Sequence, residues 1–209
     1  MKEFSDYITP DQALEDGEID LAVYQHKPFM ENFNQQKNAH LTAIGNAILM
    51  RMGIYSNSVK DVKDIPDGAV ISIPNDPTNE GRGLQLLQEA GLIRLKEGVG
   101  NAATPADITE NPKNLQFREL EAAQLPRSLD DVSASVITMN YVMSAGLSPK
   151  DQGIFLEARD NPLAVMIIAA REKDKDDPAY TQFVQAYQSD AVKQFIAETY
   201  KGTIEPAWN

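Results

Sequence analysis

Few side chains in this sequence are equipped for covalent chemistry. There are no cysteines and only two histidines, His26 and His40. Thiol catalysis and Cys-ligated zinc are therefore excluded, a His-based metal site is not expected from two histidines, and no nucleophile motif stands out. The residue best placed for recognition is Arg82, which follows the polar run Pro74-Asn75-Asp76-Pro77-Thr78-Asn79 where helix signals begin at Glu80. Backbone N–H groups at a helix start favour an anion, and a guanidinium grips a carboxylate with two parallel hydrogen bonds. A plain surface arginine fits the same pattern. Lone His26 beside Pro28 reads equally as a structural histidine.

Short β-like runs alternate with helical stretches, which points to α/β layers. Thr9 is expected to cap a helix over Pro10–Glu15. Leu21–Tyr24 reads as a strand, Gln25–Pro28 as a turn and Phe29–Lys37 as a helix. Leu41–Tyr55 is apolar and β-like. Strands are expected at Val70–Ile73, Leu115–Leu120, Ala134–Ile137, Phe155–Glu157 and Ala164–Ala170, the last in a central position. Short helices are expected at Val59–Ile65, Pro126–Asp131 and Asn140–Ala145. Pro178–Tyr200 reads as one long amphipathic helix with Phe183, Val184, Tyr187, Val192, Phe195 and Ile196 on a stripe. The two apolar regions, 41–55 and 155–170, suit two chain crossings between lobes, the first lobe comprising roughly 1–55 and 160–209 and the second 56–159.

The 209 residues are 42% hydrophobic, enough for packed cores, and the net charge is −12. Such a chain lacks the basic footprint of a nucleic-acid binder. No run reaches the ~18 apolar residues of a membrane span.

Five segments together resemble the methionine-binding lipoproteins of bacterial import systems, the NlpA lipoprotein family. They are Phe4–Tyr7, Tyr24–Phe29, Ile73–Arg82, Gln124–Asp131 and Phe183–Ser189, in the family's order across essentially the whole chain. The resemblance implies an α/β, two-lobed, periplasmic-binding-protein-like fold with Venus-flytrap closure. It implies capture of methionine or a related amino acid as the small-molecule ligand, delivery to the membrane permease of an ABC importer, no catalysis and no cofactor. It also implies a lipid-anchored place in the cell envelope, although neither signal peptide nor lipidation cysteine is visible here. Family members carry a β-α unit ahead of the Phe-Ser-Asp-Tyr segment, so the sequence is expected to lack that first unit.

By the same resemblance, Tyr7, Tyr24 and Phe29 form an aromatic wall for the ligand side chain, with His26 beside it. Arg82 holds the carboxylate, and Thr138 and Asn140 hold the amino-acid end. Thr138 stands where the family usually has Asn, Val165 replaces another ligand-binding Asn, and Arg51 stands where a Glu-Pro pair is common. These departures leave open a fold retuned to a different small anionic ligand, or a truncated paralogue with impaired binding.

Overall fold

The computed structural model describes residues 1–208. In chain order the elements are α1 (Thr9–Glu15), β1 (Ala22–His26), α2 (Lys27–Lys37), β2 (Leu41–Leu49), β3 (Gly53–Tyr55), β4 (Val70–Pro74), α3 (Pro77–Glu89), β5 (Arg94–Leu95), β6 (Ile108–Glu110), β7 (Gln116–Leu120), α4 (Leu125–Ser128), β8 (Ala134–Ile137), α5 (Met139–Ser144), β9 (Gly153–Leu156), β10 (Val165–Arg171), α6 (Pro178–Tyr187), α7 (Asp190–Tyr200) and β11 (Glu205–Pro206). Single 3₁₀ turns occupy several connections, among them Val62–Asp64, where a longer helix was expected.

The chain divides into two compact units, Met1–Met50 with Arg159–Asn209, and Arg51–Ala158. In the first, four strands pair in the order β1-β10-β2-β11, with apolar β10 antiparallel to both β1 and β2. Helices α1 and α2 bury Leu14, Met30 and Phe33 against Ala22, Leu41, Ile167 and Ala169. Arg171 fastens this packing: its Nη1 donates to the carbonyls of Leu14 (2.8 Å) in the last turn of α1 and of Ile19 (2.7 Å) in the loop that follows.

In the second unit, five strands run β7-β4-β8-β3-β9. Strand β4 is parallel to β7 and β8, whereas β3 is antiparallel to β8 and β9. Their core gathers Met52, Ile54, Ile71, Ile73, Leu84, Leu87 and Val136. The apolar run 41–55 is thus two strands in two sheets. Residues 51–55, expected with the first lobe, go with the second unit because β3 is hydrogen-bonded to β8 and β9.

Three further expectations are corrected by hydrogen bonding. Asp6, not Thr9, opens α1: its Oδ1 accepts from the N–H groups of Ile8 (2.8 Å) and Thr9 (2.7 Å). The supposed turn Gln25–Pro28 is the end of β1 running directly into α2, with His26 as the capping residue. The long C-terminal helix breaks after Tyr187, where Ser189 caps a new helix α7. Of its expected stripe only Ile196 is buried, and Phe195 is 58% exposed.

Candidate functional site

In the second unit, Arg82 lies on α3, which starts one turn earlier than helix signals suggest. Asp76 accepts from the Asn79 N–H at 3.0 Å, and Pro77 occupies the first turn, where its missing N–H costs nothing. The glycines on either side of Arg82 set how close the helix comes. A Cβ on Gly81 would stand 2.1 Å from the Asn101 carbonyl oxygen, and one on Gly83 3.1 Å from a Val136 methyl. Arg82 is therefore carried on a helix turn pressed against backbone on one side and β8 on the other.

The guanidinium is buried, with its side chain 3% exposed, and meets Glu157, 1% exposed. Its Nε donates to Oε1 at 2.9 Å and its Nη2 to Oε2 at 2.5 Å, a two-point fork. Oε2 also accepts from the Met52 N–H at 3.0 Å, and the Glu157 N–H donates to the Met52 carbonyl at 3.0 Å. Glu157 follows β9 directly, so the sheet fixes its position. The sequence reading placed Glu157 at a strand end and gave it no role. The available signal was an acidic residue closing the apolar run Ile154-Phe155-Leu156, since a carboxylate there needs a cation.

Thr138 takes the N-cap position of α5 but makes no side-chain cap bond; its carbonyl accepts from the N–H groups of Tyr141 and Val142. Asn140 lies in the first turn of that helix and is half-buried. Arg51, just ahead of β3, is half-buried and its charge acts on the Tyr55 hydroxyl, whose pKa burial pushes up. Arg82, Thr138, Asn140 and Arg51 thus all belong to one unit.

In the first unit, the aromatic candidates form one cluster. Tyr7 and Tyr24 each meet Phe29 nearly edge-on, at 5.8 and 6.4 Å between ring centres. Such tilted contacts are the favoured geometry for aromatic pairs. The Tyr24 hydroxyl donates to the Tyr7 carbonyl at 2.7 Å, tying the chain ahead of α1 to β1. His26 lies 6.2 Å from the Phe29 ring, and its Nδ1 accepts from the Phe29 N–H at 3.2 Å. That bond gives His26 a structural task at the start of α2, and it brings the ring into the aromatic cluster.

Behind these rings lies Asp11, fully buried. Gln25 donates to its Oδ1 at 2.6 Å. Among the described residues, neither Asp11 Oδ2 nor Gln25 Oε1 has a hydrogen-bond partner. Burial pushes the Asp11 carboxyl up to about 7, opposed by Tyr24 and Gln25. The sequence reading passed over Asp11; its place three residues before buried Leu14 puts it on the inner face of α1. Val165, by contrast, opens β10 and is half-buried. No group of three or more acidic, histidine or cysteine side chains among the described residues is arranged to hold a metal ion.

The family model described as NlpA lipoprotein matches residues 1–208. A probable D-methionine-binding lipoprotein, MetQ, of Vibrio cholerae is 44% identical over 205 residues, covering 98% of this chain and 76% of its own length. Among solved structures, a nutrient-binding protein from Burkholderia cenocepacia bound to methionine superposes with a TM-score of 0.96 at 44% identity, covering 99% of this chain and 87% of that one. An ABC transporter periplasmic substrate-binding protein from Coxiella burnetii gives 0.93 at 41% identity, covering 98% and 86%. Fold, sequence and length of match agree, and the chain belongs to the NlpA lipoprotein family.

Proposed function

We propose that this chain is a solute-binding protein that captures methionine or a closely related amino acid for an ABC importer of the cell envelope. The observation that carries the reading is Arg82, a buried guanidinium aimed by Glu157 and clamped between two close-packed glycine contacts. The Glu157 fork and the close-packed glycines hold the guanidinium in one orientation, and a guanidinium so fixed suits recognition of a ligand carboxylate. Thr138 and Asn140, in the same unit, supply hydroxyl and amide groups for the amino-acid end. Tyr7, Tyr24 and Phe29 supply an aromatic surface suited to an apolar or thioether side chain.

Support also comes from the relatives. One is named as a D-methionine-binding lipoprotein, one solved structure holds methionine, and another is an ABC transporter substrate-binding protein. We read the chain as a binding protein rather than an enzyme, its partner a membrane permease, its site on the family's lipid-anchored side of the envelope. Calorimetric titration with L- and D-methionine tests this. Saturable binding of at least one enantiomer at one site per chain is the expected result; absence of binding by both refutes the reading.

A further inference from the structure

We propose that Asp11, as a neutral acid, keeps the Tyr24 hydroxyl on the Tyr7 carbonyl and so positions the aromatic wall, and that its ionisation releases the wall and weakens ligand binding. The affinity part of this inference rests on the binding-protein reading above; the hydrogen-bond exchange does not.

The Tyr24 hydroxyl has a single hydrogen to give, and it gives it to the Tyr7 carbonyl at 2.7 Å. Behind the rings, the Asp11 carboxyl lies against that same hydroxyl. The pairing of β1 with β10 is irregular between Val23 and His26. There the consecutive residues Tyr24 and Gln25 both reach Asp11, although strict alternation would put them on opposite faces. Asp11 is 0% exposed and Gln25 3%. Gln25 Nε2 donates to Asp11 Oδ1 at 2.6 Å, while Asp11 Oδ2 and Gln25 Oε1 are buried acceptors with no partner among the described residues. Two acceptors cannot satisfy each other. A proton on Asp11 turns one of them into a donor, and the acid then leaves the Tyr24 hydrogen to Tyr7.

The ionised carboxylate offers only acceptors. A hydroxyl donates more strongly to a carboxylate than to a neutral carbonyl, so the Tyr24 hydrogen is drawn to Asp11. The Tyr7 carbonyl then loses that donor, and the tie from β1 to the chain ahead of α1 is lost with it. The Tyr7 ring, 6.2 Å from Tyr24 and 5.8 Å from Phe29, loses a bond that sets its place in the wall. Burial pushes the Asp11 carboxyl up to about 7, so the exchange falls across neutral pH.

Helix α1 packs on β1, β10 and β2. From β1 come Tyr24, which acts on the carboxyl directly, and His26. From β10 comes Arg171, engaged by the Leu14 and Ile19 carbonyls and by Asp20 and Asp174. Strand β2 brings no titratable side chain. Asp6, Tyr7, Glu15 and Asp16 belong to the α1 segment itself, and the Asp6 carboxylate is already taken up by Ile8 and Thr9.

The test is calorimetric titration with L-methionine at pH 5 and pH 8, at constant salt, on the native chain, Asp11→Asn and Tyr24→Phe. Native affinity is expected to fall by about three- to tenfold from the lower to the higher pH, the worth of one hydrogen bond. Asp11→Asn, whose amide donates at every pH, should bind alike at both. Tyr24→Phe has no hydroxyl to exchange and should also bind alike at both, whatever its absolute affinity. A merely structural role for Asp11 would weaken the variants and leave the native slope in them. Glu80, also pushed up to about 7, lies in the second unit and would give all three proteins the same slope. Methionine binding with equal slopes in all three, or with a flat native profile, overturns the inference and spares the proposed function. A native chain that binds no methionine fails the proposed function, and the exchange is then read without ligand by carbon-13 NMR. The Asp11 carboxyl and the Tyr7 carbonyl should titrate together near pH 7 in the native chain, and the Tyr7 signal should stay still in Tyr24→Phe. An Asp11 carboxyl that ionises in the ordinary carboxylate range, as a trapped water donating to both acceptors would allow, overturns the inference. If circular dichroism shows Asp11→Asn unfolded, Tyr24→Phe decides: a slope lost supports the inference, and a slope kept overturns it.

Discussion

Each unit buries a carboxylate, and each keeps it by a different means. In the second unit Glu157 meets a guanidinium in a two-point fork and accepts a backbone N–H as well. In the first unit Asp11 meets an amide, and its other oxygen has no donor among the described residues. A buried charge is tolerated when paired; an unpaired one shifts its pKa until it is neutral. The difference teaches that one core is built around a paired charge, whereas the other is built around a group that titrates near neutrality.

The strongest way to break the contrast is to remove one member of the pair. Glu157→Ala should leave Arg82 buried without its counter-charge and cost about 3–5 kcal/mol, read as a lower urea midpoint with an unchanged slope. Replacing both members with apolar residues of similar volume, Arg82→Met with Glu157→Leu, should recover much of that loss. A single substitution as mild as a surface change would mean that Arg82 reaches solvent and the pair carries little.

The Asp11 side is sharpened by pH. Its folded-state carboxyl is raised from 3.8 to about 7, so the folded chain holds the proton more tightly than the unfolded one. Stability from this group is therefore greatest below pH ~4 and falls as pH rises toward ~7, by up to about 4 kcal/mol. Asp11→Asn should flatten that slope, because an amide supplies a donor to the unmatched acceptors at every pH. Urea midpoints at pH 5 and pH 8 measure it. A native chain equally stable at both would show that Asp11 is hydrated or paired in solution. The Tyr24 hydroxyl, which lies against Asp11 and whose own pKa is pushed up, stays neutral across this window.

Much of this was legible in the sequence. The strands read at Val70–Ile73 and Ala134–Ile137 are short apolar runs bounded by turn residues, and both form, the first running on to Pro74. Arg82 and the aromatic positions could be named, since motif order carries them. What stayed hidden was pairing across the chain. Nothing local in Phe155-Leu156-Glu157 says that its carboxylate meets a side chain 75 positions away. Likewise, nothing local shows that 41–55 splits between two sheets, because both strands have the same apolar character. The glycines beside Arg82 belong to the same class: Gly81 reads as a helix weakness until Asn101 is seen 2.1 Å from where its Cβ would stand. Gly81→Ala should cost about 1–3 kcal/mol and, by pushing α3 away, also weaken ligand binding. Gly83→Ala, facing a methyl group that can shift, should cost less. Equal melting temperatures for Gly81→Ala and the native chain would mean that the backbone near Asn101 yields easily.

The smallest effects concern the helix caps, where the two units differ again. In the second unit Asp76 accepts the Asn79 N–H at 3.0 Å and the Asn79 side-chain amide at the same distance, and burial raises its pKa. In the first unit Ser189 accepts the Val192 N–H at 3.4 Å, near the limit of a hydrogen bond. Cap removal leaves a backbone donor unsatisfied, and water relieves that only where it can enter. Asp76 sits under the start of α3, where Thr78, Asn79 and Glu80 are all buried, so water has little access. Ser189 lies in the half-buried break between α6 and α7, helices that together bury only Ile196, so water reaches it more readily. Asp76→Ala should therefore cost about 1–2 kcal/mol and Ser189→Ala about 0.5 kcal/mol. The Asp76 value carries an opposing contribution, since removing a half-desolvated carboxylate near Glu80 relieves some repulsion; Glu80 is itself pushed up to about 7, first by burial and then by the Glu119 and Asp76 carboxylates. Asp76→Asn separates the two, keeping the acceptor while removing the charge, and should match or exceed the native chain in stability above pH 7. If Asp76→Ala and Ser189→Ala instead cost the same, the burial of the flanking turn does not govern the value of a cap here, and water reaches the start of α3 as readily as the α6–α7 break.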